Sequence, residues 1–196
     1  KYYKMLEGLS IKMRIISGKA RGTKLYTLEG LNTRPTLDKV REAIFNILQN
    51  NIRDTVVLDL FAGSGAVGLE SISRGAKKAI LCDNNKQAIQ IINKNAQKMR
   101  VEDKVQILCI DYENFLSNTQ EKFDFIYIDP PYNTDYISNS IKLINDRNLL
   151  AEEGIIIAET DEEERVKDEI DKLKTSINIY DTRKYGRARL IFMRKE

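Results

Sequence analysis

The sequence contains no histidine. Histidine is the commonest general base and a common metal ligand, so its absence excludes Ser-His-Asp and Cys-His catalytic arrangements and argues against a metal site. We therefore predict that no metal is bound. Any chemistry that the protein performs has to proceed without imidazole.

Cysteine and long apolar runs are also scarce. Cys82 and Cys109 lie in apolar runs without C-x-x-C spacing, which predicts free thiols in a reducing compartment. No run approaches the ~20 apolar residues that span a bilayer, and the N-terminus lacks the apolar region of a secretory signal. We expect a cytoplasmic protein with no membrane partner, and we expect a monomer. A length of 196 residues with 42% hydrophobic content predicts one domain with a full core.

Positive charge is concentrated near the N-terminus. Residues 1–53 hold eleven Lys and Arg against four Asp and Glu, a net charge of +7, whereas residues 54–196 carry −4. A basic N-terminal segment, here called the arm, attached to an acidic remainder of the chain suggests a polyanionic partner. A solvated basic surface is an equal alternative on charge alone.

The chain divides into three segments. Residues 1–12 show no clear periodicity, and we predict a non-native or tag-derived leader before Met13. Residues 13–53 predict a β-hairpin around the turn region of residues 18–22, followed by a helix with Thr36 as its N-cap. We expect this segment to be a basic extension of residues 54–196.

Residues 54–196 alternate between short apolar runs and amphipathic stretches. The predicted strands are residues 56–61, 78–83, 105–110, 123–129 and 154–160, with helices at 66–74, 85–99, 112–118, 135–147 and 161–174. Two further strands, 176–182 and 188–194, close the chain. This pattern predicts an α/β fold: a Rossmann-like, doubly wound, seven-stranded sheet, mostly parallel with an antiparallel last strand.

A glycine-rich loop follows the first of these strands. In DLFAGSGAVGLE, Gly63, Gly65 and Gly68 form G-x-G-x-x-G, which alone is a weak signal for a dinucleotide. Asp59 changes that interpretation, because pyrophosphate disfavours a nearby anion. A carboxylate suits the cationic ammonium and sulfonium end of S-adenosylmethionine.

Two more strands end on an acid. Asp83 is placed to accept hydrogen bonds from a ribose diol, which fits NAD and S-adenosylmethionine equally, and Asp111 could accept from an adenine amino group. Both acids could instead cap the helices that follow them.

The stretch IYIDPPY carries the strongest signal. Asp129 and the carbonyl of Pro130 can accept both hydrogens of a planar exocyclic amino group, and Tyr132 offers a face for base stacking. Proximity to a methyl donor then does most of the catalytic work.

Taken together, these motifs resemble class I methyltransferases that modify exocyclic amino groups of bases. MRIISGKARGTKL, RPTLDKVREAIFNIL and KYGRARLIF make the chain similar to the RsmD type, bacterial 16S rRNA guanine-N2 methyltransferases that act on guanine 966. One departure is Asp83, where Glu is the common acid. The resemblance covers Met13 to the C-terminus.

The resemblance implies S-adenosylmethionine as cofactor and 16S rRNA or a small-subunit particle as partner. The implied catalytic residues are Asp129, Pro130, Pro131 and Tyr132. The implied cofactor-binding residues are Asp59, Ala62, Gly63, Ser64, Gly65, Asp83, Asn84, Asp111 and Tyr112. It implies that residues 13–53 are an RNA-side extension, with RNA-side roles for Arg34, Thr36 and Arg41, although Arg41 could equally pair with Asp38 or Glu42.

Three other functions remain open at this point. A DNA or RNA adenine-N6 or cytosine-N4 methyltransferase shares DPPY, but it usually carries a target-recognition insert for which this chain has no room. A nicotinamide-dependent reductase shares only the glycine loop. A non-catalytic RNA-binding module would explain the basic arm and leave Asp129 and Tyr132 without a role.

Overall fold

The fold alternates strands and helices along most of the chain. The computed structural model describes residues 9–28, 38–48 and 51–196. Its elements are β1 (Leu9–Arg14), β2 (Lys24–Leu28), α1 (Asp38–Leu48), β3 (Val56–Asp59), α2 (Ala66–Ser73), β4 (Lys78–Asp83), α3 (Lys86–Met99), β5 (Val105–Cys109), α4 (Tyr112–Asn118), β6 (Phe123–Ile128), α5 (Tyr136–Asp146), β7 (Leu150–Thr160), α6 (Glu163–Lys172), β8 (Ile177–Tyr185) and β9 (Ala188–Lys195).

Seven strands form one sheet in the order β5-β4-β3-β6-β7-β9-β8. The first five in that order pair in parallel, and β9 is antiparallel to both β7 and β8. The predicted α/β fold with an antiparallel last strand is confirmed. The strand order reverses between β3 and β6, and in such sheets ligands bind at the carboxyl ends of the strands on either side of that point.

Alternate strand residues pack into two separate cores, one on each face of the sheet. Val57 belongs to the face covered by β1, β2, α1, α2 and α3, which we call the arm face. Leu58 belongs to the opposite face, covered by α4, α5 and α6. Both faces of the central strands are therefore buried, which explains why these strands are nearly continuous apolar runs.

The N-terminal hairpin is anchored on α2. Glu70, fully buried, accepts hydrogen bonds from the backbone N–H groups of Ile16 (2.7 Å) and Ser17 (2.9 Å). Gly18 has a positive φ of 83°, and a Cβ there would lie 1.9 Å from the carbonyl oxygen of Ser73. The arm is thus seated on the sheet domain by specific polar contacts as well as by apolar packing.

Several element bounds differ from the prediction. β1 begins at Leu9, inside the predicted leader, whose origin stays a prediction. β3 ends at Asp59 rather than at residue 61 because the chain turns there, with the Gly65 N–H bonded to the Ala62 carbonyl at 2.7 Å. β7 begins at Leu150 rather than at residue 154, because the exposed Glu152 and Glu153 interrupt the apolar run from which the strand is predicted. Within the described ranges, no helix has the length and apolarity to cross a membrane.

Candidate functional site

Four aspartates mark the carboxyl edge of the sheet. Asp59 ends β3, Asp83 ends β4, and Asp111 and Asp129 follow β5 and β6 closely. Because these strands are parallel, their carboxyl ends share one edge. The predicted cofactor and catalytic motifs therefore meet at the reversal of strand order.

The glycine loop connects β3 to α2 through two left-handed residues. Gly63 and Gly65 have φ of +55° and +76°, which a residue with a Cβ rarely adopts. A Cβ at Gly63 would meet no atom within 4 Å, whereas one at Gly68 would lie 2.8 Å from Leu81 Cδ2. Gly68 thus permits helix–sheet packing, and the loop at Gly63 borders open space that a ligand can fill.

Asp59 supports this loop from beneath. Its side chain is 2% exposed, and its Oδ2 accepts the Gly68 N–H at 2.9 Å. Burial, reinforced by the charge of Asp83, raises the Asp59 pKa to about 7, and the Gly68 bond offsets part of this rise. A cation close to Asp59 would favour the ionised carboxylate.

Asp83 and Asp111 both make backbone contacts. Asp83 accepts the Gly63 N–H at 2.9 Å and the Asn85 N–H at 2.8 Å, one on each oxygen. Each carboxylate oxygen has a second acceptor site, so Asp83 can still bind a diol. Asp111 caps α4 through Oδ1, as the alternative interpretation anticipated. The N-cap of α3 is Asn85, next to the predicted cofactor residue Asn84.

An aromatic cluster lies beside these acids. The ring of Tyr112 is 5.4 Å from Phe61 and 4.9 Å from Tyr136, centroid to centroid, and Phe61 stacks on Tyr136. Burial raises the pKa of Tyr112 to about 12. The sequence interpretation named Tyr112 but missed Phe61 and Tyr136. Phe61 lies just after β3, and Tyr136 is the first residue of α5.

Asp129 lies in the most acidic part of the edge. Burial of its carboxyl, together with the negative charges of Glu159 and Asp59, raises its pKa well above the usual range. Glu159, on the neighbouring strand β7, accepts a hydrogen bond of 2.5 Å from the Tyr127 hydroxyl. Strand alternation places these four residues on the arm face of the sheet, with Asp129 at its rim. No group of acids in the part of the chain that the structure describes has the arrangement of a metal site.

The loop after Asp129 is held by α6. The hydroxyl of Thr134 donates to the Pro131 carbonyl at 2.9 Å, and Arg165 donates to the Thr134 carbonyl at 3.0 Å. Arg165 also pairs with Glu162 and Glu169. Pro130 is buried, Pro131 is exposed and Tyr132 is partly buried. Sequence reasoning missed Arg165, because a basic residue among acids on a helix usually indicates only a solvated face.

Arg41 lies in the interior instead of on the surface. Its guanidinium, 0% exposed, donates to Asp38 at 2.6 Å and to the Arg14 carbonyl at 2.7 Å, while Nε and Nη1 have no hydrogen-bond partner among the residues that the structure describes. Burial lowers its pKa. The pairing with Asp38 that the sequence left open is the one observed, and a buried guanidinium is not placed to touch RNA directly. Arg34 and Thr36 lie outside the described residues.

Asn95 is a second residue that the sequence interpretation missed. Fully buried on α3, it accepts the Tyr26 N–H at 2.8 Å and donates to the carbonyls of Tyr26 (3.0 Å) and Ser64 (2.9 Å). One side chain thereby joins strand β2 of the arm to the glycine loop. Its sequence signal is a polar residue on the apolar stripe of an amphipathic helix.

Comparison with known proteins places this architecture in one family. An rRNA methyltransferase by name, YlbH of Bacillus subtilis, is 38% identical over 154 residues, 77% of this chain and 84% of that protein. Ribosomal RNA small subunit methyltransferase D of Escherichia coli is 35% identical over 152 residues, 78% of this chain and 76% of that protein. A structure from Escherichia coli, yhhF, named as a methyltransferase, has a TM-score of 0.81 and 30% identity, and covers 94% of this chain and 98% of that one. Residues 13–194 match the family described as Conserved hypothetical protein 95, and the chain belongs to this family.

Proposed function

We propose that this protein transfers a methyl group from S-adenosylmethionine to the exocyclic N2 of a guanine in 16S rRNA. The observation that carries the proposal is the position of Asp129-Pro130-Pro131-Tyr132 at the end of β6, on the same sheet edge as the glycine loop after β3. The names of its relatives, rRNA methyltransferases, support the same class of substrate.

The residues present fit this cofactor. The open space at Gly63, the Asp83 carboxylate with spare acceptor sites, and the buried Asp59 carboxyl suit a backbone approach, a ribose diol and a cation respectively. When bound, S-adenosylmethionine supplies an electrophilic methyl group on a sulfonium. Ala62 and Ser64 would complete the loop around the methionine end of the cofactor, and Asn84, Asp111 and Tyr112 would hold its adenine end.

Asp129 has two tasks in this proposal. With the Pro130 carbonyl it accepts the two N2 hydrogens of guanine, which orients the nitrogen lone pair towards the methyl carbon. The new C–N bond forms as the S–CH3 bond breaks, and one N2 proton must then leave. Because its pKa is raised by burial, Glu159 and Asp59, Asp129 can take that proton and release it to water. No histidine is needed for this sequence of steps.

The proposal is tested with small-subunit particles and deproteinised 16S rRNA from cells that lack the gene. After incubation with the protein and S-adenosylmethionine, nucleosides are quantified by mass spectrometry. We expect new N2-methylguanosine. Methylated adenine N6 or cytosine N4 in its place would identify another amino-methyltransferase. RNA binding without transfer of any methyl group would leave only a binding module.

A further inference from the structure

The C-terminal hairpin formed by β8 and β9 is the other basic part of the chain. Residues 177–195 contain six Lys and Arg against one Asp, a net charge of +5, whereas residues 54–176 carry −8. Along the sequence, positive charge is therefore concentrated in the N-terminal arm and in this hairpin, and the residues between them carry a net negative charge. The catalytic motifs make no use of the hairpin.

The sheet register places the tip of this hairpin beside the site. β8 runs parallel to β6 and β7, so the turn at Gly186 and Arg187 lies at the carboxyl edge. In the register of the sheet, Arg189 lies opposite Thr160, the last residue of β7, and Leu190 lies opposite Glu159. Glu159 in turn lies on the strand next to β6, which leads into Asp129. The tip is thus two strands away from the end of β6.

The tip is held by hydrogen bonds among its own residues and by an ion pair to α6. Gly186 has a φ of +63°, and Arg189 donates to the carbonyls of Gly186 (3.0 Å) and Arg187 (3.2 Å) while pairing with Glu163 at 3.5 Å. A fixed turn presents its side chains to a ligand with less ordering cost than a mobile loop.

Two cations of the tip remain available for a ligand. Lys184 and Arg187 are both exposed, and neither pairs with an acid in the described ranges, whereas Arg183 pairs with Asp181 and Arg189 with Glu163. Further along the edge strand, Tyr180 is 42% exposed with the guanidinium of Arg194 at 5.1 Å from its ring. Unpaired cations suit a phosphate backbone. The exposed ring of Tyr180, four residues or ~13 Å from Lys184 along β8, suits an unstacked base further along the same strand of RNA.

We propose that the β8–β9 hairpin is a second RNA contact surface, in which Lys184 and Arg187 bind backbone phosphates next to the target nucleotide. This inference rests on the proposed function for the identity of the polyanion. The hairpin tip then holds the RNA strand close to an acidic site that would otherwise repel it.

The test compares two double variants that each lose two positive charges. Lys184→Ala/Arg187→Ala removes the tip cations, and Lys77→Ala/Lys122→Ala removes two exposed lysines that precede β4 and β6 at the opposite, amino edge of the sheet. RNA affinity is measured on deproteinised 16S rRNA and on small-subunit particles, between about 0.05 and 0.3 M salt, alongside KM for RNA, kcat, and affinity for S-adenosylhomocysteine.

The tip variant should lose RNA affinity about 25-fold at 0.1 M salt, because each phosphate contact contributes a slope of ~0.7 in log K against log salt. Its salt slope should fall by about 1.4, with KM for RNA raised and both kcat and S-adenosylhomocysteine affinity unchanged. The amino-edge control should bind RNA like the parent protein.

Equal RNA affinity and salt slope for the tip variant and the control would overturn the inference, even if the parent protein methylates RNA. A loss seen only with particles, and not with deproteinised RNA, would also overturn it, since the tip would then contact a ribosomal protein. Conversely, a parent that transfers no methyl group but binds RNA through the tip would refute the proposed function and leave this surface in place.

Discussion

Replacing Asn95 by alanine should loosen the arm and the glycine loop together. The change deletes three hydrogen bonds of 2.8–3.0 Å and leaves the Tyr26 N–H, the Tyr26 carbonyl and the Ser64 carbonyl without that partner. Each buried polar group left unsatisfied costs about 1–3 kcal/mol. We take about 1 kcal/mol for each, because Tyr26 and Ser64 are partly exposed and water can reach them.

The expected loss is therefore about 3 kcal/mol in the free energy of unfolding, or about 6–12 °C in Tm for a chain of this size. Asn93→Ala is the matched control, because Asn93 is exposed on the same helix and its side chain, within the described part of the chain, bonds only the Ile89 carbonyl, at 2.8 Å. Exposed changes of this kind usually stay within ~0.5 kcal/mol.

Urea unfolding of the two variants and the parent measures this difference. A second readout separates positioning from simple loss of stability: at 20 °C, well below either Tm, KM for S-adenosylmethionine should rise in Asn95→Ala and not in Asn93→Ala. Equal denaturation midpoints for both variants would refute the energetic argument. An unchanged KM alongside a lowered midpoint would show that Asn95 supports the fold without positioning the loop.

Three further predictions concern the acids and glycines of the edge. Asp129→Ala should retain S-adenosylhomocysteine affinity in isothermal titration and lose methyl transfer; full activity would remove Asp129 from its assigned role. The Asp59 pKa is raised to about 7, so the folded protein binds more protons than the unfolded chain between pH 4 and 7, and stability falls as pH rises. Parent protein should therefore lose about 2–3 kcal/mol more than Asp59→Asn between pH 5 and pH 8 in urea titrations, and equal losses would show that Asp59 titrates normally. Gly68→Ala should cost about 1–3 kcal/mol of stability through its 2.8 Å approach to Leu81. Gly63→Ala should cost ~1–2 kcal/mol through its φ of +55°, and because a Cβ there points into open space it should also raise KM for S-adenosylmethionine. A KM that rises in Gly68→Ala and not in Gly63→Ala would contradict this assignment.

The strands and motifs are predictable from the sequence because their signals are local. A short apolar run that ends on an acid indicates a buried parallel strand and the residue at its carboxyl end, and this pattern alone assigns Asp59, Asp83 and Asp129 to one edge of the sheet. The two faces of the sheet also follow from alternation along each strand.

The polar residues inside the arm face are harder to find, because most of their partners are distant in sequence. Glu70, Asn95 and Arg41 are fully buried. Glu70 and Arg41 each have one local ion pair, with Arg74 and Asp38, but the bonds that join separate elements reach residues 27 to 69 positions away. A pattern of charges does not reveal which of them is paired. Each does occupy an apolar stripe of its helix, as Asn95 does between Ile92 and Met99. A polar residue at a core position is costly unless it is bonded, so that stripe is a usable signal.

The raised pKa values of Asp59 and Asp129 explain how a site without histidine stays compatible with four acids on one edge. If Asp59 and Asp129 were fully ionised without a counter-charge, their mutual repulsion and burial would destabilise the fold. Their raised pKa values let them hold protons until a cation arrives. A sulfonium and an ammonium entering beside Asp59 would ionise it and compensate its charge, so binding of a cationic cofactor should strengthen as pH rises through about 7. The phosphate end of a dinucleotide would gain nothing from this arrangement, and for that reason the acid at the end of β3 distinguishes the two kinds of ligand better than the glycines do.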